Sequence, residues 1–172
     1  MAKTETKKNH LPLFITAGVL VCGAIAATIF GASANKTDTA PEKTANIQTV
    51  GQGDNLLIPT SDVGETAQFY PVEIDGTKME VLAIRDSAGN IRTAFNTCQS
   101  CYSSGRGYYV AQGTDLICQN CGSRFTAEQV ETEAGGCNPY PIFENSKTST
   151  DDSIAISYDF LKQYQVLFSN WK

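Results

Sequence analysis

Residues 98–122, CQSCYSSGRGYYVAQGTDLICQNCG, carry four of the chain's six cysteines in two C-x-x-C pairs, Cys98/Cys101 and Cys118/Cys121. Two such pairs, joined by a stretch the length of one hairpin, can bring four sulfurs to one point, as a tetrahedral thiolate site requires. The two-residue spacer lets both sulfurs of a pair face an ion while backbone N–H groups turn toward them. Gly122 follows Cys121 and eases the second turn. Tyr102 stands in the same place after Cys101, so the first knuckle is expected to be less regular. A fifth cysteine, Cys137 in GGCNPYPI, is surplus to a four-sulfur structural zinc site. It can replace a knuckle ligand, stand beside the metal as a redox partner, or pack as a small apolar group.

Other ligand chemistry is excluded by what the chain lacks. His10 is the single histidine and precedes the long apolar segment, so residues 35–172 offer no imidazole to zinc, copper or haem. Attachment of c-type haem needs His after the second cysteine of a pair, where Tyr102 and Gly122 stand. Met79 is the only methionine besides Met1, which leaves no blue-copper ligand set, and no Ser-His-Asp or Cys-His catalytic arrangement can be assembled. All-thiolate ligation selects zinc, a single iron or an iron–sulfur cluster, and spacing does not choose among them. The same cysteines could instead form two disulfides stapling the hairpin, the usual state outside the cytoplasm. A thioredoxin-type dithiol lacks its βαβ context here.

Compartment therefore matters. Residues 11–34, LPLFITAGVLVCGAIAATIFGASA, carry no charge and are long enough to span a bilayer. Lys3, Lys7 and Lys8 precede them against only Glu5, which orients residues 1–10 to the cytoplasm and the remainder outward. The expected localisation is the cell membrane, single-pass, with an extracytoplasmic C-terminal domain. Ala32-Ser33-Ala34 also resembles a signal-peptidase site, so anchor and cleaved signal are both readings of this segment. Cys22 lies within it and, with Val21 before it, does not make a lipobox. Residues 35–172 hold 10 Lys and Arg against 17 Asp and Glu, a balance that argues against nucleic acid as a partner and suits an acidic solvated surface.

Positioning the cysteines falls to the elements around them. Residues 35–55 are polar, contain Pro and Gly and lack a hydrophobic period, reading as a linker, and residues 56–172 read as one domain. Within it, β-branched and aromatic runs alternate with turn signals at Asp75-Gly76 and Ala88-Gly89-Asn90. Met79, Val81 and Ala83 alternate on one face of a strand while Leu82 and Ile84 on the other predict burial on both sides. Ile91–Phe95 pairs back and delivers the chain to Cys98. A second hairpin, Tyr108–Val110 with Leu116–Cys118, joins the two knuckles through Gln112–Asp115, and Tyr102, Tyr108 and Tyr109 could flank the site. Thr126–Glu131 predicts a short helical turn, GGCNPYPI a rigid loop, and SIAISYDFLKQYQVLFSNWK one or two closing strands. The fold class is mainly β, built on rubredoxin-type knuckles, with one N-terminal transmembrane helix.

Two resemblances add to this. The order MEVLAIRDSAGNIRTAFNTCQSC, DLICQNCGSRF, NPYPI is similar to Rieske domains, in which two metal-binding loops at hairpin ends face each other. The likeness covers residues 79–142, with Cys101 and Cys121 where a Rieske domain has histidine. More specifically, FNTCQSCY, the following GYY, CQNCGSRF and GGCNPYPI resemble a family of membrane-anchored iron–sulfur-containing proteins that includes a ferredoxin-like component of bacterial ferrous-iron uptake systems. That resemblance implies iron or an iron–sulfur cluster at Cys98, Cys101, Cys118 and Cys121, with Cys137 as an extra family cysteine. It also implies membrane redox or iron-transport partners.

Overall fold

The structure, a computed structural model, describes residues 46–132 and 134–172. The predicted membrane segment, residues 11–34, lies outside the described residues, as does Cys22. Among the described residues no helix is long and apolar enough to cross a membrane.

The fold is mainly β, in three sheets. The central sheet is built from β3 (Gln68–Ile74), β4 (Thr77–Arg85) and β5 (Ile91–Cys98), flanked by β1 (Gln48–Thr49) and β9 (Pro139–Pro141), in the order β1-β3-β4-β5-β9. Only β1 runs parallel to its neighbour; the other pairs are antiparallel. Asp75 and Gly76 both take positive φ, 47° and 79°, and close β3 onto β4 in the two-residue turn whose twist suits a hairpin. Four carboxylate contacts from Asp86, to Ala88 N, Asn90 N, Asn90 Nδ2 and Arg92 Nε, shape the next turn.

As the alternation predicted, β4 is buried on both faces. Met79, Val81 and Ala83 point into one core with Phe95 of β5. Leu82 and Ile84 point into another with Ala94 and Cys98. The first core is closed by β2 (Asn55–Pro59) and β11 (Ser153–Ser157), paired in a sheet with β10 (Thr148–Ser149), and by α1 (Tyr158–Gln163). The second is closed by the small sheet of β6 (Tyr109–Gln112), β7 (Asp115–Cys118) and β8 (Arg124–Phe125), the cysteine hairpin.

Three expectations need correction. Part of the 35–55 stretch is structured: Val50 is buried and β1 pairs with Val72 and Glu73, although two residues are too few to register as a period. The closing segment is one strand followed by a helix and a 3-10 turn at Gln165–Phe168. Its aromatic richness suggested strands, but Ser157 caps the helix by accepting from Phe160 N at 3.2 Å, and Tyr158 and Leu161 bury on one face at helical spacing. GGCNPYPI is not wholly loop, because Pro139–Pro141 pairs on the edge of β5, where a missing N–H is tolerated. The turn near Thr126 is a 3-10 turn at Ala127–Gln129.

Phe95 anchors the first core. It is fully buried, with the rings of Phe160, Tyr164, Phe168 and Tyr140 at centroid distances of 6.0, 5.1, 5.8 and 6.2 Å. Removing it leaves a cavity walled by four rings, so Phe95→Ala is expected to cost about 3–5 kcal/mol. Denaturant unfolding of the purified chain checks this.

Candidate metal centre

Each knuckle begins where a strand stops. Cys98 ends β5 and donates its N–H to Gly107 O at 2.6 Å; Cys118 ends β7 and donates to Ser123 O at 2.9 Å. In the second knuckle Gly122 takes φ 73° and returns its N–H to Cys118 O at 2.9 Å, the role its position suggested. The first knuckle is indeed different: after Cys101 the chain makes a 3-10 turn at Tyr102–Ser104, closed by Gly105 at φ 75°. Ser104 Oγ donates to Cys101 O at 2.7 Å. Gly107 then passes so close to the knuckle that a Cβ on it would lie 2.4 Å from the Cys101 carbonyl carbon and oxygen.

Cys137 arrives from the far side. Between Phe95 and Cys98 the β5–β9 register shifts: Phe95 faces Tyr140, but Cys98 faces Pro139. A regular ladder would place Cys137 opposite Cys98. The bulge instead carries it two positions further, over the knuckles. Its sulfur lies 3.8 Å from that of Cys121.

All five described cysteines are free thiols. Cys98, Cys101 and Cys137 have sulfurs within 4.8 Å of one another, and so do Cys101, Cys118 and Cys121. Every candidate ligand read from the sequence is thus in one cluster. The stapled-hairpin reading finds no disulfide here. Burial grades across the cluster, from Cys98, Cys101 and Cys118 inside to Cys121 outside. It raises the Cys98 thiol and pushes Cys118 up to about 12. Cys121 goes the other way, down to about 6, chiefly through hydrogen bonding from Ser123, whose Oγ is 3.2 Å away. Its neighbour Cys137 is raised, first by the contact with Cys121.

Three side chains that sequence reasoning passed over hold this cluster. Asn96, fully buried, accepts from Tyr109 N at 2.7 Å, and donates to Tyr109 O at 3.2 Å and to Glu80 at 2.5 Å, locking β5 to β6 just before Cys98. Glu131, in left-handed backbone at φ 61°, accepts from Thr93 N at 2.7 Å and from Lys147 Nζ at 2.7 and 2.8 Å. This ion pair is buried, with the Lys147 side chain 1% exposed, and it pins the start of the Cys137 loop to β5. Ser100 Oγ donates to Gly136 O at 2.6 Å, tying that loop to the first knuckle. Of the flagged tyrosines, Tyr109 reaches the site, its hydroxyl donating to Cys137 O.

A family model described as "Membrane iron-sulfur containing protein FtrD-like" matches residues 62–168, which span β3, β4, β5 and β9 of the central sheet, both knuckles and the Cys137 loop. The chain belongs to this FtrD-like family. Neither curated proteins nor solved structures give a match. The donor set fits what the FtrD-like description names: five converging sulfurs, all thiols, with no imidazole in the described residues to favour other metals. Among the described residues of this FtrD-like chain, Cys98, Cys101, Cys118, Cys121 and Cys137 form the cysteine groups that could hold a metal ion.

Two outcomes follow for the FtrD-like site. Gly107→Ala drives a methyl into the Cys101 carbonyl, and is expected to displace the first knuckle and lower metal content at least several-fold while the first core stays folded; elemental analysis with circular dichroism checks this. In metal-free protein, Cys121 should be alkylated first. Because its thiol is lowered to about 6, its rate with iodoacetamide should climb as pH rises through 6, whereas Cys118, raised to about 12, should stay unreactive up to pH 9. Peptide mapping across a pH series reads both.

Proposed function

We propose that the chain is a membrane-anchored extracytoplasmic metalloprotein whose knuckle thiolates, Cys98, Cys101, Cys118 and Cys121, bind iron or an iron–sulfur cluster. Its role is to move electrons or metal in a membrane redox or iron-uptake system, with residues 11–34 as the anchor. The observation that carries this reading is the convergence of free thiols at strand ends. Two hairpin-end loops facing one another also support a Rieske-like arrangement with sulfur at every ligand position.

Iron held by thiolates supplies one-electron transfer at a potential set by charge, hydrogen bonds and exposure. The chain's own contribution is a frame that resists rearrangement: the knuckles hang from paired strands, and Asn96 and Gly107 fix the first of them. Cys98 and Cys118 are shielded from solvent, and exposed Cys121 gives an edge where a donor or acceptor can approach.

A second reading is a structural zinc site that only holds the hairpin for docking to a membrane partner, since four thiolates serve zinc equally well. The two separate by colour. The full chain, purified in detergent without oxygen from cells supplied with iron and zinc, should show broad thiolate-to-iron bands that bleach on reduction, with iron in the elemental analysis. A colourless protein containing zinc alone would sink the iron reading in favour of the docking module.

A further inference from the structure

We propose that the five thiolates form a dinuclear centre in which Cys101 is shared, one thiophilic ion held by Cys98, Cys101 and Cys137 and a second by Cys101, Cys118 and Cys121. This rests on the metal-binding reading above and changes its stoichiometry and its ligands.

The placement of the sulfurs is the first ground. The four knuckle thiols are not gathered as one set: Cys98 groups with Cys101 and Cys137, while Cys118 and Cys121 group with Cys101. Metal–thiolate bonds of about 2.3 Å bring sulfurs to within about 4 Å of each other. Triads already inside 4.8 Å therefore close on an ion by small side-chain movements.

The second ground is independent of any sulfur. The Cys137 loop is held in place by the bulge in β5, by Tyr109 Oη on its own carbonyl, by Ser100 Oγ on Gly136 O at 2.6 Å and by the buried Glu131–Lys147 pair. A buried ion pair and a left-handed glutamate are costly features. Here they fix the position of one thiol that a four-sulfur site does not need.

Charge is the third. Five thiolates around one divalent ion leave a formal charge of −3 in a partly buried cluster, and around two ions leave −1, which the low-dielectric surroundings favour. Loading balances by proton release: two divalent ions enter, and each of the five thiols that still carries its proton gives it up to solvent.

The test uses metal-free full chain in detergent, titrated anaerobically with Cd²⁺ against a competing chelator strong enough to strip carboxylate-bound ions. Sulfur-to-cadmium absorption and native mass spectrometry give the stoichiometry. Two ions per wild-type chain are expected, falling to one in Cys137→Ser, while Cys101→Ser should weaken both sites at least tenfold. One ion per wild-type chain, unchanged in Cys137→Ser, overturns the dinuclear centre and leaves the four-thiolate centre of the proposed function intact. Two ions retained in Cys137→Ser overturn the assignment of that triad. No chelator-resistant binding overturns both readings. The wild-type stoichiometry decides even where a variant fails to fold.

Discussion

The antiparallel pairing of β4 with β5 is covered on both faces, and everything around the cysteines is referred to it. Val81 opposes Phe95 on the side that α1 and the β2–β11 pair close, while Leu82 opposes Ala94 on the side that the cysteine hairpin closes. One face can therefore carry the apolar burial that stabilises the domain while the other is given over to thiols, which add little packing of their own. Cys98 joins the two tasks, since it is both the last residue of β5 and the first ligand candidate.

Bringing five potential anions together opposes itself electrostatically, so the backbone must hold them near one another before any metal arrives. The chain does this with directional bonds more than with apolar contact. Asn96 uses both ends of its amide on Tyr109, Glu131 receives a backbone N–H and an ammonium, and the hydroxyls of Ser100 and Tyr109 end on carbonyls of the Cys137 loop. A directional polar network of this kind specifies one arrangement in a way that interchangeable methyl groups do not.

Much of this was legible in the residues. The C-x-x-C pairs, the hairpin between them, Gly122 and the two-faced burial of β4 are all local, because spacing and alternation are properties of adjacent residues. What escaped was long-range. Glu131, Lys147 and Thr93 are dispersed in the chain, and no pattern announces that they meet. The bulge that carries Cys137 past Cys98 is set by pairing with a strand of three residues, two of them prolines, which reads as loop. Gly107 opens the GYY motif, but the reason it must lack a side chain, the close approach of the Cys101 carbonyl, is set by the fold. The C-terminal segment misled because its aromatic residues favour strands on propensity, while packing around Phe95 and the Ser157 cap decided for a helix.

Trp171 is the chain's single tryptophan, and its indole N–H is bonded to Asn96 O at 2.9 Å, two residues before Cys98. Its ring also lies beneath Lys172 Nζ, 4.4 Å from the centroid, and packs edge-on against Phe168. The tryptophan fluorescence of the protein thus comes from one fixed chromophore joined to the end of β5. Its emission wavelength and quenching give an optical signal, without any added label, for what happens at the sulfur cluster.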